Sequence, residues 1–257
     1  MTTKPFTHTS QDTANSVLPG VKPVLELLES APERIDVLLV KKGLRSAETT
    51  KILTLCREKQ VRFSLVESPA LDRLCAASHQ GVIARLIGTE LTSFADMLAQ
   101  VAEAPLPIIV ALDQVQDAGN VGTLARTLYA LGGAGLVVPR HNSAYLGGGA
   151  KKAAAGALEY LPVAQVANLG HALDEAEETG FTIYGAELGH DSVNAFTAPL
   201  ATPAVLVLGN EDKGLRPGVR KRCSQMLHIP QARTFDSLNV AQAGGILLAL
   251  FAMRAQS

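Results

Sequence analysis

Five short runs of apolar residues punctuate the second half of the chain: Ile108 to Leu112, Gly135 to Val138, Phe181 to Tyr184, Val205 to Leu208 and Met226 to Ile229. None alternates apolar with polar, so each reads as a strand covered on both faces, as in a parallel sheet. Parallel neighbours need crossover connections, and helical spacing fills the gaps at 122–131, 151–157, 169–178, 218–223 and 240–254. The expectation is an α/β domain over residues 105–257, with loops at the carboxyl ends of its strands, where open parallel sheets take ligands.

A second, smaller α/β module is expected upstream, over residues 16–88. Val24, Leu25, Leu27 and Leu28 follow a helical stripe, and Ile35 to Val40 is a buried strand. A helix at 49–59, a strand at 61–66, a short helix at 71–77 and a strand at 81–86 follow. Residues 1–15 are polar and rich in threonine, and read as a flexible tail. Residues 89–104 read as a linker with a connecting helix over Leu91 to Ala102, closed by Pro105 and Pro107. With 257 residues, 47% of them apolar, the chain can bury one large core or two modest ones.

Bulk chemistry excludes more than it proposes. A formal charge of −1 supplies no global basic field, so nucleic-acid binding has to rest on local patches. Three cysteines, Cys56, Cys75 and Cys223, are an odd number without CxxC spacing. That argues against a disulfide framework or a zinc site, and fits a reducing cytoplasm. The N-terminus has no apolar signal region, and no apolar run reaches the roughly 18 residues of a membrane span. A soluble, unexported protein is expected.

Three polar turns follow apolar runs. The first holds Asp117, Asn120, Gly122 and Arg126. Gly122 and Arg126 are four apart on one helix face, so another chain or a ligand, an anion or sugar, can approach there; the alternative is an N-capping asparagine with a surface arginine. The second, Gly209-Asn210-Glu211-Asp212-Lys213-Gly214, can offer backbone groups to a ligand, with Glu211 pairing with Arg126 or orienting a substrate; the alternative is an ordinary turn. It is not a Walker A loop, and no GxGxxG follows a strand. The third runs from Ile229-Pro230 to Ser237-Leu238-Asn239-Val240 and enters a helix containing Gly244 and Gly245. Each of those glycines costs about 1 kcal/mol against alanine, so close packing or a ligand is expected there. A glycine triplet, Gly147 to Gly149, looks like a phosphate cradle but reads better as a hinge, with Lys151 and Lys152 as candidate RNA contacts.

Taken together, Asn120-x-Gly122-x3-Arg126, Gly209-Asn210-Glu211-x2-Gly214 and Ile229-Pro230-x6-Ser237-Leu238-Asn239-Val240 resemble the three ordered motifs of the SpoU branch of the SPOUT RNA ribose 2′-O-methyltransferases. Residues 19–26 and His79-Gln80-Gly81-Val82 are similar to the ends of an L30e-like RNA-binding domain. The resemblance implies a C-terminal trefoil knot holding S-adenosyl-L-methionine. It places Gly209, Ile229, Leu238, Asn210 and Gly214 at the cofactor, and Arg126, Asn120, Glu211, Ser237 and Asn239 in the catalytic pocket.

The resemblance further implies a cytoplasmic homodimer with its active site at the subunit interface, acting on a guanosine of 23S ribosomal RNA. A transfer RNA methyltransferase and a non-catalytic RNA-binding protein are the rivals. Arg126 is either an unusual base or a cation that positions phosphate and lowers the hydroxyl pKa. Arg233 stands where many relatives carry glycine, and Ala241 where they carry serine or threonine. Two basic clusters are candidate RNA patches: Lys213, Arg216, Arg220, Lys221 and Arg222, and Lys41, Lys42, Arg45 and Lys51. His79 reads as structural, and His228 as an edge-strand residue without ligand spacing.

Overall fold

The computed structural model describes residues 17–75, 78–86, 91–189, 191–233 and 237–255. The expected tail at residues 1–15 lies outside them. The chain divides into two compact units, one ending at Gly88 and the other beginning at Thr89.

The first unit is a four-stranded sheet with helices. In chain order it comprises β1 (Val17–Pro19), α1 (Val21–Ser30), β2 (Ile35–Lys41), α2 (Ala47–Glu58), β3 (Phe63–Val66), α3 (Ser68–Leu74) and β4 (Val82–Leu86). The sheet order is β1-β4-β2-β3. β4 runs antiparallel to β1 and β2, whereas β2 and β3 are parallel. Ser46 caps α2 by accepting from the Thr49 N–H at 3.1 Å. Val24, Leu28, Leu38, Val40, Ile52 and Val82 form the core. Within it the buried Asp36 carboxylate is neutralised by Arg62 and, at 2.7 Å, by Arg85. His79 is structural as expected: Nδ1 accepts from the Gly81 N–H at 3.0 Å, which leaves Nε2 to donate to Asp72 at 2.9 Å.

The second unit carries α4 (Phe94–Gln100), β5 (Leu106–Asp113), α5 (Ala118–Ala130), β6 (Gly133–Pro139), α6 (Gly148–Ala154), β7 (Val163–Val166), α7 (Leu169–Glu178), β8 (Thr182–Ala186), β9 (Val193–Asn194), β10 (Ala204–Gly209), α8 (Pro217–Arg220), β11 (Gln225–His228) and α9 (Val240–Ala255). Its seven strands lie in the order β7-β6-β5-β10-β8-β11-β9, every pair parallel. Alternate side chains of β5 supply two cores. Ile108, Val110 and Leu112 face α5, α6 and α9, while Ile109 and Ala111 join Met97, Leu98 and Val101 on the other face. The expected connecting helix is therefore packed into this unit.

Three expectations change on contact with the structure. Gly148 and Gly149 form the first turn of α6, so the triplet is not a hinge. Gly122 is filled by α6: a Cβ there would stand 2.7 Å from the Ala153 Cβ, so the glycine admits a helix and no ligand. The cap of α5 is Asp117, whose Oδ1 accepts from the Asn120 N–H at 2.6 Å, so α5 starts four residues early and the Asn120 side chain is not an N-cap. Gly244 meets the packing expectation, since a Cβ would lie 2.6 Å from Leu124 and 2.7 Å from Leu208.

Burial pushes the Cys56 thiol up to about 11 and the Cys223 thiol up to about 12. Both stay protonated well above neutrality, and the thiolate is the reactive form. Iodoacetamide at pH 8 is expected to label at most Cys75 in the native protein and all three cysteines after denaturation, as counted by intact mass.

Candidate active site

Gly209, the last residue of β10, pairs with Asp113, the last residue of β5. At the neighbouring strand ends, Glu187 N–H donates to the Leu227 carbonyl at 3.0 Å. Residues 114–117, 210–216 and 229–233 thus leave the carboxyl end of the sheet side by side. The strand order reverses between β5 and β10, since the chain runs from β5 through β6 and β7 to one side and continues from β8 on the other, and such points open a crevice.

A chain of amides joins the three loops. Asn239 Nδ2 donates to Asn120 Oδ1 at 2.9 Å, and Asn120 Nδ2 donates to Glu211 Oε1 at 2.8 Å. Both amide orientations are fixed by their ends. A carboxylate only accepts, so Asn120 must turn its NH2 toward Glu211. Asn239 Oδ1 caps α9 by accepting from the Ala241 and Gln242 N–H groups at 2.9 and 3.3 Å, so its NH2 faces Asn120. Glu211 therefore pairs with Asn120, and the expected pairing with Arg126 does not form.

The 210–216 loop is pinned at both ends. Asn210 Nδ2 donates to the Gln114 carbonyl at 3.0 Å, and Asn210 exchanges backbone hydrogen bonds with Gly214 at 3.1 and 2.9 Å. Asp113, fully buried, takes two hydrogen bonds from Arg216, one from the backbone N–H and one from Nε, each 2.7 Å. A buried carboxylate is tolerable only when paired in this way.

A cleft of about 370 Å³ lies beneath the loop. Gly209, Asn210, Gly214, Ile229 and Leu238 all line it, as do Glu211 and Ser237. Asn120 and Asn239 stand behind Glu211 in the amide chain. Arg126 is not brought to the cleft. It is exposed on α5, six residues past Asn120 and about 9 Å further along the helix axis. It has no hydrogen-bond or ion-pair partner among the described residues. Sequence reasoning missed Ala186, Glu187 and Leu188, which line the cleft from the carboxyl end of β8, whereas Ala243 and Leu247 line it from the glycine-bearing helix α9. The available signal for the β8 residues was their place just beyond an apolar strand.

Five of the nine residues in the basic clusters are paired within the protein. Arg216 is tied to Asp113, Arg220 to Glu187 and Asp191, and Arg222 to Asp174. The Glu187 hydrogen bond holds the Arg220 pKa above its ordinary value. In the first unit Lys51 pairs with Glu29 and Lys42 with Glu67, both exposed. Exposed pairs are worth about 0–1 kcal/mol and yield readily to phosphate. Lys213, Lys221, Lys41 and Arg45 remain unpaired among the described residues. Ala241 is buried in the core beside α5, and Arg233 is exposed.

Residues 107–249 match the SpoU rRNA Methylase family. This chain belongs to that family. Residues 17–90 match the RNA 2′-O ribose methyltransferase substrate binding family. Among relatives of this SpoU protein, the 23S rRNA (guanosine-2′-O-)-methyltransferase RlmB of Pseudomonas syringae pv. tomato is 31% identical, over 89% of this chain and 92% of the relative. RlmB of Acinetobacter baylyi is 33% identical, over 89% and 93%. In fold, the chain is similar to an AdoMet-bound rRNA methyltransferase from Sinorhizobium meliloti, with a TM-score of 0.60, 23% identity and coverage of 95% of this chain and 89% of that one. It is also similar to the A. aeolicus TrmH/SpoU tRNA modifying enzyme, with a TM-score of 0.55, 26% identity and coverage of 63% and 84%.

Proposed function

We propose that this SpoU protein transfers a methyl group from S-adenosyl-L-methionine to the ribose 2′-oxygen of a guanosine in 23S ribosomal RNA. The observation that carries the reading is the Asn239–Asn120–Glu211 chain, which ties all three motifs together at the lip of one cleft. The relatives that match over most of the chain are named for that reaction.

The cleft suits the cofactor. Its apolar walls, Leu208, Leu227, Ile229, Leu238 and Leu247, match a flat base, and strand-end backbone groups can meet its polar edges. Glu187, Glu211 and Asp212 put acidic groups around a ligand carrying positive charge. When bound, the cofactor supplies an electrophilic sulfonium methyl. The remaining tasks fall to the chain: Gly209, Asn210 and Gly214 shape the wall against which the methyl donor rests, and Glu211 with Asn120 and Asn239 fixes the lip where a ribose enters.

A ribose hydroxyl is a weak nucleophile at neutral pH and needs its proton loosened. Arg126 is assigned this task as a permanent cation that draws a phosphate in and stabilises the developing alkoxide. Since Arg126 does not line the cleft of its own chain, it serves the cleft of a second copy, and the enzyme is a homodimer. The α9 surface supports this, with Ile246 at 37% and Met253 at 67% exposure. The trefoil knot belongs to the same proposal, and the packing of α9 on α5 and β10 supports it. A cytoplasmic location follows from the ribosomal substrate.

Purified protein incubated with methyl-labelled cofactor is expected to label isolated 23S rRNA at a 2′-O-methylguanosine and to leave transfer RNA unlabelled. Label on transfer RNA instead would replace the substrate. Absence of label together with absence of cofactor binding would favour a non-catalytic RNA-binding protein.

A further inference from the structure

Three carboxylates border the cleft, and they are not equivalent. Glu211 is committed through Oε1 to Asn120 at 2.8 Å, and Asp212 is exposed on the loop. Glu187 is different. Its backbone is fixed between two strands by the bond to Leu227. Its side chain is held by one oxygen only, with Oε2 accepting from Arg220 Nε at 2.7 Å. Arg220 is itself braced by Asp191 at 3.6 Å, so the carboxylate cannot swing freely.

The second oxygen, Oε1, has no protein partner among the described residues. It lies 3.8 Å from where a Cβ on Gly214 would stand, under the loop that walls the cleft. The side chain is only 31% accessible. A carboxylate positioned by one oxygen, partly desolvated and aimed into a cavity with the other, is a preorganised acceptor.

We infer that Glu187 is a further cofactor-binding residue, whose Oε1 accepts a hydrogen bond from a donor of the cofactor. This rests on the methyltransferase reading. The cofactor offers three such donors, the adenine amino group, the ribose diol and the amino-acid ammonium, and a carboxylate grips any of them by a charge-assisted bond. A surface ion pair with Arg220 would give about 0–1 kcal/mol and would need no place in the cleft wall.

Calorimetry on the full chain separates the possibilities. Two probes are titrated into wild type and Glu187→Gln: S-adenosylhomocysteine, and 5′-methylthioadenosine, which lacks the amino-acid end. Glutamine keeps the length and one acceptor for Arg220 but loses the charge. Glu187→Gln is expected to bind S-adenosylhomocysteine about tenfold more weakly or worse, as for loss of a hydrogen bond to a charged group. A parallel loss with 5′-methylthioadenosine assigns the bond to the nucleoside end, and a loss confined to S-adenosylhomocysteine assigns it to the ammonium. Equal affinity in wild type and variant overturns the proposal. Asp191→Asn perturbs the same Arg220 without touching the cleft and is expected to bind like wild type. A loss there matching that of Glu187→Gln would place the effect in the ion pair and overturn the proposal too. Wild type binding neither probe would instead overturn the methyltransferase reading.

Discussion

Replacing Arg126 with alanine is expected to cut turnover by about 10²-fold or more, the usual loss when a group stabilising a developing oxyanion is removed. Cofactor affinity by calorimetry should not change, because the role assigned to Arg126 is on the phosphate and ribose oxygen of the RNA and not on the cofactor. Folding should not change either, since the side chain is exposed and makes no bond among the described residues. Undiminished turnover in the variant would remove Arg126 from the chemistry. Action across a dimer has its own signature. Mixing inactive Arg126→Ala with a variant whose cleft is blocked should restore roughly a quarter of wild-type activity, because half of the reassorted dimers regain one complete site.

Gly209→Val supplies that blocked cleft. Even the first side-chain carbon at position 209 would stand 2.6 Å from the Gly214 carbonyl oxygen and 2.7 Å from the Leu215 nitrogen. These are backbone atoms, and a rotamer change cannot relieve them. The 210–216 loop is held by Asn210 at one end and by the Arg216 bonds to Asp113 at the other, so it has to distort as a whole. The stability cost is expected near 1–3 kcal/mol, as for an overpacked interior. The larger consequence is functional: displacement of Glu211 and Gly214 should lower affinity for S-adenosylhomocysteine beyond detection in calorimetry. Wild-type affinity in a folded Gly209→Val protein would show that the cleft is not the cofactor site.

The parallel sheet was legible because strands covered on both faces carry continuous apolar runs, and 108–112 and 205–208 have no competing helical spacing. β7 escaped because Val163–Val166 is four residues long and contains Gln165, and β9 because it has two residues. The first module lost only β1, a three-residue edge strand.

At the site, convergence of the three turns was readable from motif order, whereas the bonds made on arrival were not. Asp117 and Asn120 are both competent caps three residues apart, and only the fold decides that Asp117 takes the cap and frees the Asn120 amide for Glu211. A similar choice governs Gly122, whose missing Cβ is equally consistent with a ligand or a helix until Ala150 and Ala153 arrive from α6. Glu187 was invisible because a single acid after a strand carries no pattern. Its meaning comes from Arg220, thirty-three positions away.

The most direct test of the methyltransferase assignment is mass-spectrometric mapping of ribose methylation in ribosomal RNA from a strain lacking this gene. One 2′-O-methylguanosine of 23S rRNA should be missing, restored by the wild-type gene and left missing by Arg126→Ala. A full complement of ribose methyl groups in the deletion strain would contradict the assignment.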